Sequence, residues 1–401
     1  MGINIKDRSV FVAAETVEGT AKVPVAGDFI ASLPIEINGK KASVDIDELG
    51  VSAVSRSPSR LGGFDSVEGT VTLNVRAGET EGALPRSARL FETHGFKFKE
   101  IAEIALSGTQ TKTLLKFATG SKTEMSKYAV GDVVVLEKAD GSERHISSIK
   151  AINKTDVSIT LDIEATFAPA AGDKILKIQL GVVDSSVVKS ATVGEILKGE
   201  GSKKISRYMT SAKASAIELS QFEKNNVPQW AFTLAGVSDI QSVGDFSDGA
   251  EADKTLEQVD PVIVKNACIY IDGEKVGLKT MGFTSTREQG TIQTTCSGDA
   301  LTGIRQSDLT VEGTFTVSEK SDADVKMYNA FNAGTNKSLL AYMGNPKNEK
   351  ALENMVIVFF PSIQLAEYST AAGDIVMEEE ISFKANSGKD QSKNQVLVAF
   401  V

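Results

Sequence analysis

Phe64–Arg76 reads FDSVEGTVTLNVR, and Ser307–Glu319 reads SDLTVEGTFTVSE. Both stretches alternate. Val67, Gly69, Val71, Leu73 and Val75 fall on one face of an extended chain, against Glu68, Thr70, Thr72 and Asn74. In the later stretch Leu309, Val311, Gly313, Phe315 and Val317 oppose Thr310, Glu312, Thr314 and Thr316. Strict period-two alternation with β-branched residues predicts a half-buried strand. A glycine within it leaves room for a bend or a close neighbour. The shared word VEGT occurs once more, at Val17–Thr20, between Phe11-Val12-Ala13-Ala14 and Lys22-Val23-Pro24. That context predicts a loop, so the third match is coincidence.

The flanks of the two strands also correspond. Upstream, Leu33–Lys40 and Ala267–Glu274 each read as a strand running into Asn38-Gly39 or Asp272-Gly273. Such dipeptides favour the positive φ angles of a type I′ hairpin turn. Downstream, Pro85–His94 closed by Gly95 reads as a short helix, with Leu84, Ala88 and Phe91 on one side. After the second copy, Ser321-Asp322-Ala323-Asp324 resembles a capping box. Val325, Tyr328 and Phe331 then form a stripe before Gly334. Turn, strand and helix in one order, twice, imply a duplicated β-rich domain. Trp230–Ala235 is expected to close the first copy and Glu379–Lys384 the second.

Between the helix of the first copy and its expected completion lie short strand-like runs. These are Val130–Leu136, Ile146–Ile152, Val157–Ile163 and Ala171–Leu176. Polar turns separate them, which predicts a small inserted barrel or sandwich on the outside of the first domain. The expected organisation is a discontinuous first domain (1–100 and 181–240), an inserted domain (101–180), an acidic linker (241–260) and a second domain (261–401).

Composition narrows the function. With 41% apolar and 24% charged residues the chain has the balance of a folded protein. No run of 18 apolar residues and no apolar stretch near the N-terminus is present, so neither a membrane span nor a secretory signal is expected. A net charge of −10 opposes tight nucleic-acid binding, which phosphate neutralisation by basic residues drives. Two cysteines, Cys268 and Cys296, fit no zinc or redox spacing. Two histidines, His94 and His145, supply little for a His-based centre.

Candidate chemistry is sparse. Glu378-Glu379-Glu380 places two carboxylates on one face of a strand, which could hold a cation or do acid–base work. An exposed strand start satisfied by water is the simpler expectation. Asp45-Ile46-Asp47-Glu48 is similar. Ser55–Arg60 is a small basic loop that could meet phosphate, though a surface loop suffices. Gly131-Asp132 and Gly172-Asp173 read as turns. No nucleotide-binding, zinc-protease or hydrolase motif occurs. No catalytic, cofactor-binding or metal-ligating residue is therefore assigned.

Phe11–Thr16 leading to Gly19-Thr20, the Val67–Thr70 strand, the helix ending at Gly95 and the PQWAFTLAG run of Pro228–Gly236 resemble the major tail tube proteins of long-tailed bacteriophages. Pro261–Asn386 resembles a second copy. The resemblance implies two β-sandwich domains, each with a flanking helix. It implies rings with a continuous inner barrel, stacked into a tube through which genomic DNA leaves the virion without specific binding. Two domains per chain would make the ring a trimer with pseudo-sixfold symmetry. Its partners would be copies of itself and other tail proteins, such as the tape measure, terminator and tip. It implies no enzyme activity and no cofactor. Two alternatives remain at this level: a cell-surface, adhesin-like β-sandwich, and an enzyme using a carboxylate pair. A single Trp, Trp230, and 6% aromatic residues weigh against a sugar-stacking cleft.

Overall fold

The computed structural model describes residues 8–45, 59–184, 186, 188–198, 204–243, 259–264, 268–292, 303–317, 322–348, 352–372, 377–387 and 394–401. The protein is mainly β, with large antiparallel sheets and one sheet curled into half a barrel.

The chain begins with β1 (Arg8–Ala14), β2 (Phe29–Ile30), β3 (Glu36–Asp45), β4 (Ser59–Asn74), helix α1 (Ala88–Thr93) and β5 (Phe96–Ile101). Six short strands follow, with the helical turn α2 (Lys122–Met125) among them. They are β6 (Ile104–Ala105), β7 (Leu114–Lys116), β8 (Val133–Glu137), β9 (Arg144–Asn153), β10 (Ser158–Leu161) and β11 (Lys174–Ile175). The chain returns through β12 (Ile178–Val183), β13 (Ala191–Lys198), β14 (Lys204–Glu223), β15 (Gln229–Gly236) and β16 (Ser238–Val243). The remainder is β17 (Cys268–Ile271), β18 (Glu274–Val276), β19 (Leu278–Ile292), β20 (Gly303–Val317), α3 (Asp322–Ala333), β21 (Lys337–Pro346), β22 (Leu352–Ala372), β23 (Met377–Ala385) and β24 (Leu397–Phe400).

The same succession of antiparallel pairings occurs twice. It runs β2–β1–β13–β14–β15–β4–β3 in the first half and β18–β17–β21–β22–β23–β20–β19 in the second. β16 adds to β14 as β24 adds to β22. In each half one long strand serves two sheets. β14 pairs with β13 through its first part and with β15 through its second, with a register shift between Ala214 and Ala216. β22 pairs first with β21 and then with β23, with a shift between Leu365 and Glu367. Such bulges bend a strand, which lets it pass from one layer to the next. Ser211, at φ 52°, marks the change in β14, and its amide donates to Glu15 at 2.8 Å.

The repeated word now has a physical reason. Gly69 lies opposite Ile37 and Leu234, and Gly313 opposite Phe283 and Phe383. A Cβ on Gly69 would come within 2.5 Å of the Met209 methyl and 2.9 Å of the Glu36 carbonyl. One on Gly313 would come within 2.4 Å of the Phe383 ring and 2.7 Å of the Gly282 carbonyl. Each glycine admits a large neighbour over the strand. Val17–Thr20 is a turn, closed by the Thr20 amide on the Val17 carbonyl.

Three expectations need correction. Asn38-Gly39 is no turn: it lies within β3, opposite Glu68 and Val67. A dipeptide that tolerates positive φ does not impose it, and burial of Ile37 and Val67 sets the register. Asp272-Gly273 does turn, at φ 48° and 80°, between β17 and β18. The counterpart of that hairpin is therefore β1–β2, joined by a long loop. In α3, Phe331 of the expected stripe packs against the core, but Met327 and Ala330 are buried whereas Tyr328 is 48% exposed, so the inward face is rotated by part of a turn from that stripe. Finally, β16 occupies the start of the stretch read as an acidic linker, and residues 244–258 lie outside the described ones.

Residues 104–175 form their own six-stranded sheet, and a bridge between Leu106 and Phe117 brings its first and last strands together. The inserted segment packs differently from the expected outer attachment to the first copy. Its core is continuous with Leu340, Met355, Ile357, Phe359, Leu397 and Ala399 of the second half. Its stems β5 and β12 pair with each other, and β12 also pairs with β24. Arg144, nearly buried, donates to Glu137 at 2.8 Å, the Leu352 carbonyl at 2.7 Å and Glu81 at 2.6 Å. Removing this sheet would strip cover from apolar side chains of β21, β22 and β24, so it has a structural role in the second half.

The glycine argument carries an expected outcome. Gly313→Ala must displace Phe383 or the Gly282 carbonyl, at a cost of about 1–3 kcal/mol. Urea denaturation of wild type and variant measures it. Equal midpoints and slopes would show that the glycine is not required for packing.

Candidate assembly surface

Eight strands lie side by side in the order β3–β4–β15–β14–β19–β20–β23–β22. The two halves meet where the second part of β14 pairs with β19, from Ala216↔Thr286 through Leu219↔Phe283. One side of this sheet is apolar and buried, with Ile37, Val71, Trp230, Phe232, Ile217, Leu219, Phe283, Phe315, Ile381 and Phe383. Phe91 of α1 is the hub of that core. Its ring stands edge-on to Trp230 and Phe232 at 5.1 Å each, and to Phe400 of the second half at 5.9 Å. Such contacts add to the burial of each ring.

The opposite side is bare. Alternation brings to it Asn38, Thr70, Thr72, Thr233, Thr284, Thr286, Thr310, Thr314 and Ser382. Among the described residues its charges include Glu36, Glu68, Glu218, Glu223, Glu312, Glu367, Glu378 and Glu380, with Lys40, Lys279 and Lys384. Lys384 is already paired with Glu312 at 2.7 Å. A shallow depression crosses this face between Glu218, Thr284, Glu312 and Glu367. The face is hydroxyl-rich and acidic, and the described residues on it form no row of cations to hold phosphate.

The junction between halves is buried and polar. His94, at the end of α1, is fully buried. Its Nδ1 lies 2.8 Å from the Ala214 carbonyl and its Nε2 2.9 Å from Ser285 Oγ. One neutral tautomer satisfies both: Nδ1–H donates to the carbonyl, and Nε2 accepts from the hydroxyl. Arg287 of β19 donates from Nε to the His94 carbonyl at 2.8 Å and from Nη1 to the Ser307 carbonyl at 3.0 Å. Gly95, at φ 93°, is what lets the guanidinium approach, since a Cβ there would meet Arg287 Nη2 at 3.0 Å. Burial lowers the His94 pKa to about 4; the Ala214 hydrogen bond opposes this and the Arg287 charge adds to it. Burial likewise pulls the Arg287 pKa below its ordinary value, against the attraction of Asp308.

The residues singled out in sequence have structural surroundings. Glu378 and Glu380 do share the bare face, but Glu378 is bound to Lys279 at 2.6 Å and not simply hydrated. Glu379 points inward, 8% exposed, and accepts from the Tyr368 hydroxyl. Asp132 is buried, caps the turn through the Ala129 amide at 2.7 Å and pairs with Lys99 at 2.7 Å. Asp173 accepts from the Ala170 amide at 2.8 Å and the Ala139 amide at 3.0 Å. His145 is buried in the inserted sheet, with Nε2 3.1 Å from the Ile163 carbonyl. Cys268 begins β17, whereas Cys296 lies outside the described residues, as do 46–48 and 55–58 of the two acidic and basic loops. Among the described residues, no group of three or more His, Cys, Asp or Glu side chains is arranged to hold a metal. No helix among them is long and apolar enough to cross a membrane.

No family model matches the chain, and none of the curated proteins is detectably similar to it.

Sequence reading missed the His94–Arg287 junction, because its members are 193 residues apart and only the β14–β19 pairing joins them. The junction makes stability depend on pH. The unfolded chain takes up a proton on His94 near pH 6.5, whereas the folded chain resists it down to about 4. Stability should therefore fall with pH through this window, by up to about 3 kcal/mol from this group. His94→Gln should flatten that part of the profile, read as unfolding free energy between pH 6.5 and 4. Parallel profiles for wild type and variant would contradict the assignment.

Proposed function

We propose that this protein is the structural subunit of a phage tail tube. Each chain contributes two tube-type β-sandwich units with a flanking helix. Three chains close a pseudo-hexameric ring, and rings stack into the conduit for genome ejection. The observation that carries this reading is the edge-to-edge pairing of β14 with β19. It joins two like units into one sheet, and among the described residues no strand pairs with the outer edge of β3 or with that of β22 beyond Ile363. Edge strands of this length invite pairing, and cyclic closure satisfies them without leaving a free edge. Tail-tube proteins, which the sequence resembles, use such closure.

The bare face supports the same reading. A conduit for DNA must not grip it, and a basic wall would do so through counterion release. Hydroxyls and carboxylates repel or ignore phosphate. Genomic DNA is then cargo in transit, and the lasting partners are other copies of the chain and the tape-measure, terminator and tip proteins of the tail. The site of action is the virion, after assembly in the host cytoplasm. The inserted sheet, packed on the side of the second half away from the bare face, faces outward in such a ring.

Negative-stain microscopy of the purified chain tests this reading. Rings or hollow tubes are expected; dispersed single particles under all assembly conditions would overturn it. The wall argument has its own test. Duplex DNA should not be retained by the assemblies at 50 mM salt, a condition that favours non-specific binding. A Glu68→Lys/Glu218→Lys/Glu312→Lys variant should retain it in a salt-sensitive way. Strong binding by the wild-type chain would contradict a passive wall.

A further inference from the structure

Within the chain, β14 meets β19 with Ala216 opposite Thr286, Ile217 opposite Ser285 and Glu218 opposite Thr284. The repeated pairings locate the corresponding positions at the two open ends. Ile37 and Phe283 each lie opposite a VEGT glycine, Gly69 and Gly313. Hence Asn38, Gly39 and Lys40 of β3 correspond to Thr284, Ser285 and Thr286. Ala214 is opposite Leu234 and Leu365 opposite Phe383, each just before the register shift. Pairing resumes at Ala216 in one half and at Glu367 in the other. So Glu367, Tyr368 and Ser369 correspond to Ala216, Ile217 and Glu218. Among the described residues, no strand pairs with the second edge of β22 beyond Ile363, or with the second edge of β3.

We propose that Glu367–Ser369 of β22 pairs with Asn38–Lys40 of β3 from a second copy of this chain, antiparallel. Glu367 then lies opposite Lys40, Tyr368 opposite Gly39, and Ser369 opposite Asn38. The proposal rests on the ring reading above and specifies its junction.

The side chains fit this register. Glu367 and Lys40 are both exposed and of opposite charge, and directly opposed charges stabilise a strand pair. On the inner side the internal junction sets Ile217 against Ser285; between copies a larger Tyr368 meets a smaller Gly39. An aromatic ring over a strand glycine is already present at Phe383 and Gly313. This gives a reason for Asn38-Gly39 in mid-strand, where a glycine otherwise weakens pairing. Tyr328, 48% exposed, stands 5.3 Å from Tyr368, so apolar surface flanks the open edge. The arriving strand would extend that aromatic cluster as β19 extends the core at Ile217.

The test uses the full chain with Cys268→Ser and Cys296→Ser, carrying Asn38→Cys and Ser369→Cys. Mild oxidation of assembled material should give covalent dimers and trimers on a non-reducing gel, and either single cysteine alone should not. Charge reversal is the independent arm. Lys40→Glu should raise the concentration needed for assembly about tenfold, and adding Glu367→Lys should restore it. Rings that form without cross-linking, and whose assembly is not rescued by the charge swap, would overturn this register and leave the tube reading standing. Absence of rings in the wild-type chain would overturn both.

Discussion

The pairing of β14 with β19 is the contact on which the rest of the structure depends. It makes a single sheet of the two like halves. The long strand makes this possible. β14 spends its first part in an outer layer and its second part in the eight-stranded sheet, and the bulge after Ala214 turns it. Without that turn its second edge would not face β19. The buried polar lock at the same place, His94 with Ser285 and Ala214, and Arg287 with the end of α1, holds the two units in one register. A buried guanidinium and a buried imidazole are costly without hydrogen-bond partners; both ring nitrogens of His94, and Nε and Nη1 of Arg287, have theirs only in this register.

The two faces of the sheet follow from its alternation. Aromatic and aliphatic residues on one side gather around Phe91, which touches both halves through Trp230 and Phe400. Threonine, serine and glutamate on the other side remain in water. A hydroxyl-rich β surface needs no covering layer, because β-branched threonine suits a strand and its hydroxyl suits solvent. The acidic excess there fits the whole chain's charge of −10.

Local patterns in the sequence carried the strands well. Alternation identified β4 and β20, and the Trp230–Ala235 and Glu379–Lys384 runs fall within β15 and β23, which occupy corresponding places. Pairing partners were harder. Asn38-Gly39 looks like a turn because its intrinsic preference is visible, whereas the burial that keeps it extended is set by strands far away in the chain. The inward face of α3 differs for the same reason: Tyr328 has the right spacing, but Met327 joins the core and Ala330 is buried. The inserted sheet showed its strands in sequence, yet not its docking on β21, β22 and β24, which no periodicity encodes. The acid run at Glu378–Glu380 was read as one exposed feature. Glu378 and Glu380 do share one face, but Glu379 between them points inward to Tyr368, and Glu378 is held by Lys279.

The tube proposal is tested most directly by the mass of the smallest closed assembly that the purified chain forms, measured by native mass spectrometry. Two like units per chain, joined as β14 joins β19, should close with three chains. A ring of six chains would contradict the equivalence of the internal and external junctions, and a stable closed monomer would contradict assembly through the open edges.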